Sequence, residues 1–342
     1  MIEELVGRRA SHDRAKQLEP TVVGVLRERY ISALVPEVIG GAEKTPAEYV
    51  AMLEAIAESD SASGWVTMTA STSAMLSAYL PRTTADLLWK TGTPMMAGVF
   101  APGGQIVDGT LSGKWSWGSG SRHADWFALG CMFEHKHVVA FVPAASVQIV
   151  ENWDTLGLAG TGSHDLVVDR VRIGADHTCS VFGKPWADTA LYRVPVFGLL
   201  AVGIASCALG IAKAALGHAA DRLRRDGEKV ASPALTRYAE LYGELAAARA
   251  YLIATCNDVF ARGGDALARG QLRLAAHRAT QSSLEVARGC FHLDGAAAVR
   301  AGHPLQLALR DLEVVMTHKM VVEKVLPSAA RALLGGPAAP DL

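Results

Sequence analysis

The chain has 342 residues, of which 50% are hydrophobic and 20% are charged, and its formal net charge is -1. This composition is typical of a globular protein with a substantial core, and it excludes a largely disordered chain. The near-neutral charge provides no broad attraction for the phosphate backbone of nucleic acids, so no nucleic-acid partner is expected.

The cysteines predict free thiols rather than a disulfide framework. They are widely separated, never form a CxxC pair and stand at Cys131, Cys179, Cys207, Cys256 and Cys290. We therefore expect buried thiols in a reducing, cytoplasmic compartment. Residues 1–14 are charged throughout and have no apolar core, so no signal peptide is expected.

An uncharged stretch at residues 194–212 is long enough to cross a bilayer. It is rich in Gly and Ala, includes Pro195 and continues into an amphipathic segment that ends in RLRRD. These features favour the buried helix of a bundle over a membrane span. No membrane association is therefore expected.

Residues 1–92 predict an N-terminal helical domain. Thr45, Pro46 and Glu48 form a helix-start pattern, with Thr as the cap, Pro at the first position and Glu at the third. The residues that follow repeat apolar side chains three and four positions apart, as expected for an amphipathic helix. Further helical segments are predicted at residues 2–26, 64–79 and 83–88.

Residues 93–184 predict a small antiparallel β-domain. Short alternating or β-branched runs are separated by Gly, Pro and Asp, which is typical of strands joined by tight turns. The runs lie at residues 96–100, 111–117, 126–133, 137–142, 147–151 and 166–173. The segment EHKH at 134–137 is interpreted as a solvated hairpin, and no metal site is expected.

Residues 185–342 predict a C-terminal four-helix bundle. Long stretches rich in Ala, Leu and Arg are separated by turn-like segments. The predicted helices cover residues 196–225, 233–262, 265–293 and 305–333, and the tail at 335–342 is expected to be frayed. The whole chain is therefore expected to be mainly α-helical with a central β-domain.

The stretch DGTLSGKWSWGSGSRHADW at residues 108–126 predicts a strand, a Gly/Ser-rich loop and a second strand. Small residues allow a planar ligand to lie close to the backbone. The hydroxyls of Ser116, Ser119 and Ser121 can donate or accept hydrogen bonds, and a Trp face can stack on an aromatic ring. The same residues also suit a tight hairpin in a protein core, so the stretch alone leaves both interpretations open.

The order of the three regions and four local strings together resemble the acyl-CoA dehydrogenase superfamily. The strings are ESDSASGWV at 58–66, residues 113–126, GLAGTGSHD at 157–165, and PLQ at 304–306 with Arg310, Asp311 and His318. Within the superfamily the chain is most similar to the two-component (group D) flavin-dependent monooxygenases, or hydroxylases. The resemblance covers nearly the whole chain and implies a helical domain, a middle β-barrel and a four-helix bundle.

Two departures refine this resemblance. Acyl-CoA dehydrogenases carry a catalytic Glu near the start of the last helical section, whereas residues 301–304 read AGHP. Aromatic hydroxylases of this type often carry a phenol-binding His after the SGW string, whereas that position falls at about Ser73 here. The first departure favours the monooxygenases. The second weakens the hydroxylase interpretation and indicates either a substrate other than a simple phenol or a different reaction.

The resemblance implies an oxygenase component that takes reduced FMN or FAD from a separate NAD(P)H:flavin reductase. It would react with O2 through a C4a-hydroperoxyflavin and oxygenate a small aromatic or polyketide-like substrate. A homotetramer or dimer is implied as well. The alternatives are an acyl-CoA dehydrogenase-like flavin dehydrogenase or oxidase, and a non-catalytic scaffold with the same fold.

The resemblance also implies roles for individual residues. Ser119 would contact flavin N5, and His318, in the last helix, would act as an acid or base that titrates near neutrality. The other cofactor contacts would be Trp117 as a ring wall, Ser121, Thr161 and Ser163 at polar atoms of the flavin, and Arg278 at a phosphate.

Each residue also has a structural alternative. The serines can cap a turn, Trp117 and His318 can belong to the core, and the glycines of the GTGS turn can serve backbone geometry alone. Arg310 with Asp311 is expected to take part in interhelical ion pairing.

Overall fold

The computed structural model describes residues 2–227, 230–337 and 339. The N-terminal region is helical, and its helices are α1 (Arg9–Ala15), α2 (Pro20–Arg29), α3 (Pro46–Ser59), α4 (Ser61–Met75) and α5 (Arg82–Trp89). Thr45 caps α3 in a reciprocal capping box, in which Thr45 accepts from the Glu48 N–H and Glu48 Oε2 accepts from the Thr45 N–H at 2.8 Å. The predicted helix start is thus confirmed.

The middle region forms one seven-stranded sheet with the order β5-β6-β2-β1-β3-β4-β7. The strands are β1 (Met96–Val107), β2 (Thr110–Gly118), β3 (Trp126–Phe133), β4 (Lys136–Pro143), β5 (Gln148–Val150), β6 (His164–Arg172) and β7 (Thr178–Cys179). All neighbouring pairs are antiparallel except β1 and β3, which run parallel. Because β5 and β7 lie at the two edges, the described strands form an open sheet, and the expected central β-domain is confirmed.

The C-terminal region is helical, with α6 (Val196–Asp226), α7 (Ser232–Arg262), α8 (Ala266–Asp294), α9 (Pro304–Met316) and α10 (Leu326–Leu333). Helices α6, α7 and α8 match the predicted segments closely. The fourth predicted helix, 305–333, is corrected to two shorter helices. Thr317 Oγ1 donates back to the Val314 carbonyl at 2.7 Å, and Pro327 supports a fresh start at the first turn of α10.

Part of the expected frayed tail, at residues 338 and 340–342, lies outside the described residues. Just before it, Gly336 N–H still donates to the Arg331 carbonyl at 2.8 Å. The chain therefore remains tied to the end of α10 as far as Gly336.

Helix α6 is the central element of the core, packed between α3 and α8. Its most apolar window is long enough for a membrane span, but 83% of that window is buried inside the protein. Gly210 allows close approach to α3, since a Cβ there would lie 2.3 Å from the Glu54 carbonyl oxygen. This burial is the one expected for a bundle helix.

A buried carboxylate joins the three regions of the chain. Asp311 of α9 is 1% exposed, and its Oδ2 accepts from Arg9 Nη2 and from Ser61 Oγ, each at 2.5 Å. Its Oδ1 accepts from the Leu158 N–H at 2.7 Å. Burial raises the pKa of Asp311, while the adjacent Arg9 charge acts in the opposite direction. Interhelical ion pairing is confirmed for Asp311, whereas Arg310 donates to the Leu156 carbonyl instead.

A second buried carboxylate fixes the start of α4. Asp60 caps the helix by accepting from the Ser63 N–H at 2.8 Å and from Ser63 Oγ at 2.5 Å. The ring of His12 in α1 lies against the same carboxylate, with Nδ1 at 3.1 Å from Oδ2. Helix α1 therefore contacts the cap of α4 directly through His12, and indirectly through Arg9, which shares the Asp311 carboxylate with Ser61.

Replacing Asp311 with Ala is expected to lower the free energy of unfolding by about 3 kcal/mol, because Arg9 and the Leu158 N–H lose their buried partner. Urea unfolding followed by circular dichroism measures the loss. Glu240→Ala is the matched control, since Glu240 pairs with Arg237 at the surface and such pairs contribute less than about 1 kcal/mol. Equal losses in the two variants would contradict the role of Asp311.

Candidate active site

The site begins with a line of buried hydroxyls between α4 and the loops that follow β2 and precede β6. Trp65 Nε1 donates to Ser119 Oγ at 3.1 Å, and Ser119 Oγ lies 2.7 Å from Ser163 Oγ. Ser163 Oγ lies 2.7 Å from Thr161 Oγ1, which donates to the Leu158 carbonyl at 2.7 Å. We call these four side chains and the carbonyl the hydroxyl chain. The structure thus brings together Ser119, Thr161 and Ser163, as the sequence predicted.

Backbone contacts align the two loops that carry the hydroxyl chain. The Gly120 N–H donates to the Thr161 carbonyl at 2.8 Å, and Ser121 Oγ donates to the Gly162 carbonyl at 3.1 Å. Gly162 has φ +53, and a Cβ there would lie 2.4 Å from the Lys16 carbonyl oxygen. Ser121 thus joins the two loops, and its predicted contact with a cofactor stays a prediction.

Trp117 has an unusual backbone and an exposed ring. It is 73% exposed and has φ +68, at a point where the register between β2 and β6 shifts. The left-handed region costs a bulky residue about 1–2 kcal/mol, and residues strained in this way cluster at active sites and ligand-binding loops. Trp115, two residues earlier, is a core residue that donates to the Gly130 carbonyl. The exposed face of Trp117 is therefore free to stack on a planar ligand.

His318 lies beside the hydroxyl chain, although it follows α9 rather than belonging to it. Its ring centroid is 5.9 Å from that of Trp65, in an edge arrangement at 69°. Nδ1 accepts from the Met320 N–H at 3.2 Å, which places the hydrogen of the neutral ring on Nε2. Burial, with the charges of Lys319 and Arg273, lowers the pKa of His318 to about 4. The expected titration near neutrality is therefore corrected: His318 is a neutral donor at pH 7.

Arg278 lies on α8 at the surface of the bundle. It forms an ion pair with Glu244 of α7 at 2.9 Å, and both side chains are partly exposed. Among the described residues, the structure does not bring Arg278 into hydrogen-bond contact with the hydroxyl chain. Its predicted phosphate contact therefore remains a prediction for a site completed by another subunit.

The sequence reasoning missed two members of the site. Trp65 lies in one of the four strings, but the sequence does not predict that it donates to Ser119 or that the Leu158 carbonyl accepts from Thr161. The role of Trp65 as a donor could be inferred from its residue type, because a buried indole N–H needs an acceptor and hydroxyl side chains are abundant nearby. The second depends on the left-handed backbone of Leu158, with φ +55, which sequence patterns do not predict.

Among the described residues, one group of side chains could approach a metal ion: His218, Asp294 and His303. Asp294 already accepts from Arg222 Nη1 at 3.0 Å and lies 3.1 Å from His303 Nε2. An ion-pair network accounts for these contacts. In the EHKH segment, His137 Nε2 bonds to the Phe100 carbonyl.

The chain is similar to a known protein family and to curated monooxygenases. A family model described as acyl-CoA dehydrogenase, C-terminal domain, matches residues 202–323. An indole-3-acetate monooxygenase of Pseudomonas putida is 29% identical, with coverage of 96% of this chain and 90% of that protein. The flavin-dependent monooxygenase, oxygenase subunit HsaA, of Rhodococcus jostii is 27% identical, with coverage of 91% and 88%.

Solved structures share the fold throughout. A 3-HSA hydroxylase from Rhodococcus sp. RHA1 superimposes with a TM-score of 0.91 at 24% identity, covering 99% of this chain and 96% of that one. XiaF from Streptomyces sp., solved in complex with FADH2 and glycerol, gives 0.88 at 19% identity, with coverage of 99% and 94%. KijD3, solved in complex with FMN and a dTDP-linked sugar, gives 0.82 at 22% identity, with coverage of 97% and 91%.

The chain therefore has the acyl-CoA dehydrogenase-like fold, and the expected fold class is confirmed. The expected resemblance to the two-component flavin-dependent monooxygenases of that fold is confirmed as well. The names of the relatives agree with the prediction of a flavin-dependent oxidoreductase.

The lowered pKa of His318 predicts a loss of stability in acid. The unfolded ring takes up a proton below its ordinary pKa of 6.5, but the folded ring does so only below about 4. Stability is therefore lost as the pH falls from 6.5 towards 4, and the effect is absent above 6.5. Between pH 7 and pH 4.5, the titration of His318 lowers the free energy of unfolding by about 2 kcal/mol.

His318→Gln is expected to remove this contribution, so its unfolding free energy falls less steeply with acid than that of the wild type. Urea titrations at the two pH values measure the difference, in which any constant packing loss cancels. His135→Gln is the control, because His135 is exposed in a turn. Equal acid sensitivity of wild type and His318→Gln would contradict a half-buried His318 that stays neutral.

Proposed function

We propose that this protein is the oxygenase component of a two-component flavin-dependent monooxygenase. It takes reduced flavin from a separate NAD(P)H:flavin reductase and transfers one atom of O2 to a small organic substrate. The observation that carries the proposal is the hydroxyl chain, in which Ser119 follows the exposed Trp117 by two residues and donates its N–H to the Trp117 carbonyl at 3.0 Å. The description of a relative as an oxygenase subunit supports a separate reductase.

The residues present fit the edge of a flavin. Ser119 is 6% exposed, and its hydroxyl keeps one lone pair free after its contacts with Trp65 and Ser163. Trp117 offers a ring face without first breaking a core contact. A bound reduced flavin supplies the electrons that activate O2.

The protein's own groups orient the reactants and keep out water. Ser119 would accept a hydrogen bond from the edge of a bound flavin, and Trp117 would pack on its ring. His318 holds a proton at Nε2 and can donate it as a hydrogen bond to an oxygen of the substrate. Helix α4 is buried along nearly its whole length, which limits water entry from that side.

The substrate class that fits best is a small aromatic acid or a related ring compound. Ser73, which replaces the expected phenol-binding His, is buried and donates to the Thr69 carbonyl at 2.8 Å. Its oxygen can still accept a hydrogen bond, but unlike an imidazole it does not take up a proton near neutral pH, which disfavours a phenol activated at this position. Relatives named indole-3-acetate monooxygenase support an aromatic substrate without a phenolic group, and a polyketide-like substrate remains the alternative.

Further features of the proposal concern the flavin and the assembly. FADH2 and FMN both occur in neighbouring structures, and either fits the ring contacts proposed here. A homotetramer or dimer is supported by exposed apolar side chains on α7, which include Leu235, Tyr242 and Tyr251. Arg278 would then reach a flavin phosphate across a subunit interface. Sedimentation velocity tests the assembly, and a monomer at micromolar concentration would contradict it.

A cytoplasmic location is also proposed. The five cysteines are all free and buried, which is typical of proteins in a reducing compartment. Fractionation of the source cells tests the location, and recovery of the protein outside the cytoplasm would contradict it.

Ser119→Ala is expected to lower the yield of oxygenated product per NADH consumed about tenfold and to raise H2O2 release, because one hydrogen bond at the flavin edge is lost. The assay combines the protein with a flavin reductase, NADH, O2 and indole-3-acetate as the probe substrate. Ser112→Ala is the matched control, since Ser112 lies on β2, the strand that leads to Ser119, and accepts only from the Arg170 N–H among the described contacts. An unchanged yield in Ser119→Ala would remove Ser119 from the site.

The same preparation distinguishes the reaction class. Under anaerobic conditions and without a reductase, the substrate is expected to leave the absorbance of bound oxidised flavin unchanged. Bleaching of that flavin by the substrate would instead identify a dehydrogenase and would contradict the proposed function.

A further inference from the structure

Only one arrangement of the hydroxyl hydrogens gives every contact in the hydroxyl chain one donor and one acceptor. Four contacts link Trp65, Ser119, Ser163, Thr161 and the Leu158 carbonyl, and each needs one hydrogen. The indole N–H can only donate, the carbonyl can only accept, and each hydroxyl carries one hydrogen. Thr161 must therefore donate to Leu158, Ser163 to Thr161, and Ser119 to Ser163.

Reversing any hydroxyl would leave two oxygens in contact without a hydrogen between them. If Thr161 donated to Ser163, its oxygen would face the Leu158 carbonyl at 2.7 Å with both atoms acting as acceptors. That carbonyl also accepts from the Thr161 N–H at 3.1 Å and from Trp153 Nε1 at 3.3 Å, so its role as an acceptor is fixed.

The acceptor end of the hydroxyl chain is held firmly in place. The Leu158 N–H donates to Asp311 Oδ1 at 2.7 Å, and Leu158 has the left-handed φ of +55. Thr161 is 2% exposed and Ser163 is 4% exposed, so bulk water does not compete freely for their hydrogens. The direction set at Leu158 is therefore transmitted to Ser119.

Ser119 consequently presents only an acceptor to a bound ligand. Its hydrogen is committed to Ser163, and one of its lone pairs receives the Trp65 N–H. A reduced isoalloxazine ring carries a hydrogen on N5, whereas the oxidised ring has a bare acceptor nitrogen there. An acceptor facing an acceptor in a buried site leaves both groups unsatisfied, which costs about tenfold or more in affinity.

We propose that Thr161 and Ser163 are positioning residues that orient the Ser119 hydroxyl as an acceptor, so that the site discriminates reduced from oxidised flavin. This inference rests on the proposed function, because it requires the flavin edge to lie at Ser119. It differs from the expected roles of Thr161 and Ser163, which placed them in direct contact with the flavin. Neither residue needs to touch the cofactor to set this preference.

Thr161→Val tests the proposal, because Val keeps the shape of Thr but removes the hydroxyl. Ser163 then has no acceptor at position 161 and can donate to Ser119 instead. The Ser119 hydrogen becomes free to point at the ligand, as the oxidised ring requires. Thr161→Ser restores the hydroxyl and is the matched control.

The measurement is the dissociation constant of reduced and of oxidised FMN and FAD, by anaerobic equilibrium titration. Wild type and Thr161→Ser are expected to bind the reduced form at least about tenfold more tightly than the oxidised form. The ratio is expected to fall about tenfold in Thr161→Val, which corresponds to a shift of about 30 mV in the two-electron potential of the bound flavin. A Thr161→Val protein that does not fold is replaced by Ser163→Ala, which also frees the Ser119 hydrogen.

The outcomes separate this proposal from the proposed function. A wild type that binds neither redox form contradicts the flavin site itself, and with it the inference. A wild type that binds both forms equally, or a preference that survives in Thr161→Val and Ser163→Ala, overturns the inference while the oxygenase function stands. A weaker preference for reduced over oxidised flavin in Thr161→Val, together with the wild-type preference in Thr161→Ser, supports the inference.

Discussion

The buried carboxylate of Asp311 is the contact on which the arrangement of the regions depends. It receives hydrogen bonds from α1, from the first turn of α4 and from the turn before β6, while its own backbone belongs to α9. A carboxylate at this depth is tolerated only when it is paired and fully hydrogen-bonded, so each of these partners must be in place. One group therefore sets the position of the N-terminal helices, the sheet and the last part of the bundle together.

The candidate site follows from this arrangement. The Leu158 N–H donates a hydrogen bond to Asp311, and the Leu158 carbonyl accepts one from the Thr161 hydroxyl. The hydroxyl chain then runs to Ser119, where Trp65 of α4 meets it. A site built in this way is neutral and directional, because its hydrogens are ordered by a donor-only group at one end and an acceptor-only group at the other. Such preorganisation favours a ligand with complementary hydrogen bonds.

The sequence predicted much of the fold because local signals were strong. The pattern of Thr45, Pro46 and Glu48 defines a helix start by itself, and strand β3 covers the predicted residues 126–133. The break between α9 and α10 was missed because residues 305–333 keep an apolar pattern across it. The hydroxyl of Thr317 competes for the backbone there, which a search for periodicity does not detect.

The resemblance named Ser119, Thr161 and Ser163, which the structure brings into contact, while their roles towards a cofactor stay predictions. Ser119 and Ser163 are 44 residues apart, and Arg9 and Asp311 are 302 residues apart, so their contacts are properties of the tertiary structure. A resemblance could place Ser119 and Ser163 in one site, but not the direction of their hydrogen bonds. The neutral state of His318 likewise depends on burial by residues distant in the sequence.

A crystal structure of the protein soaked anaerobically with reduced FMN or FAD tests the central claim most directly. We expect the ring between the sheet and the helices, with N5 at hydrogen-bond distance from Ser119 Oγ, against the face of Trp117, and with the Ser163 and Thr161 contacts unchanged. A ring bound elsewhere, or Ser119 still covered by the protein's own side chains, would contradict the account.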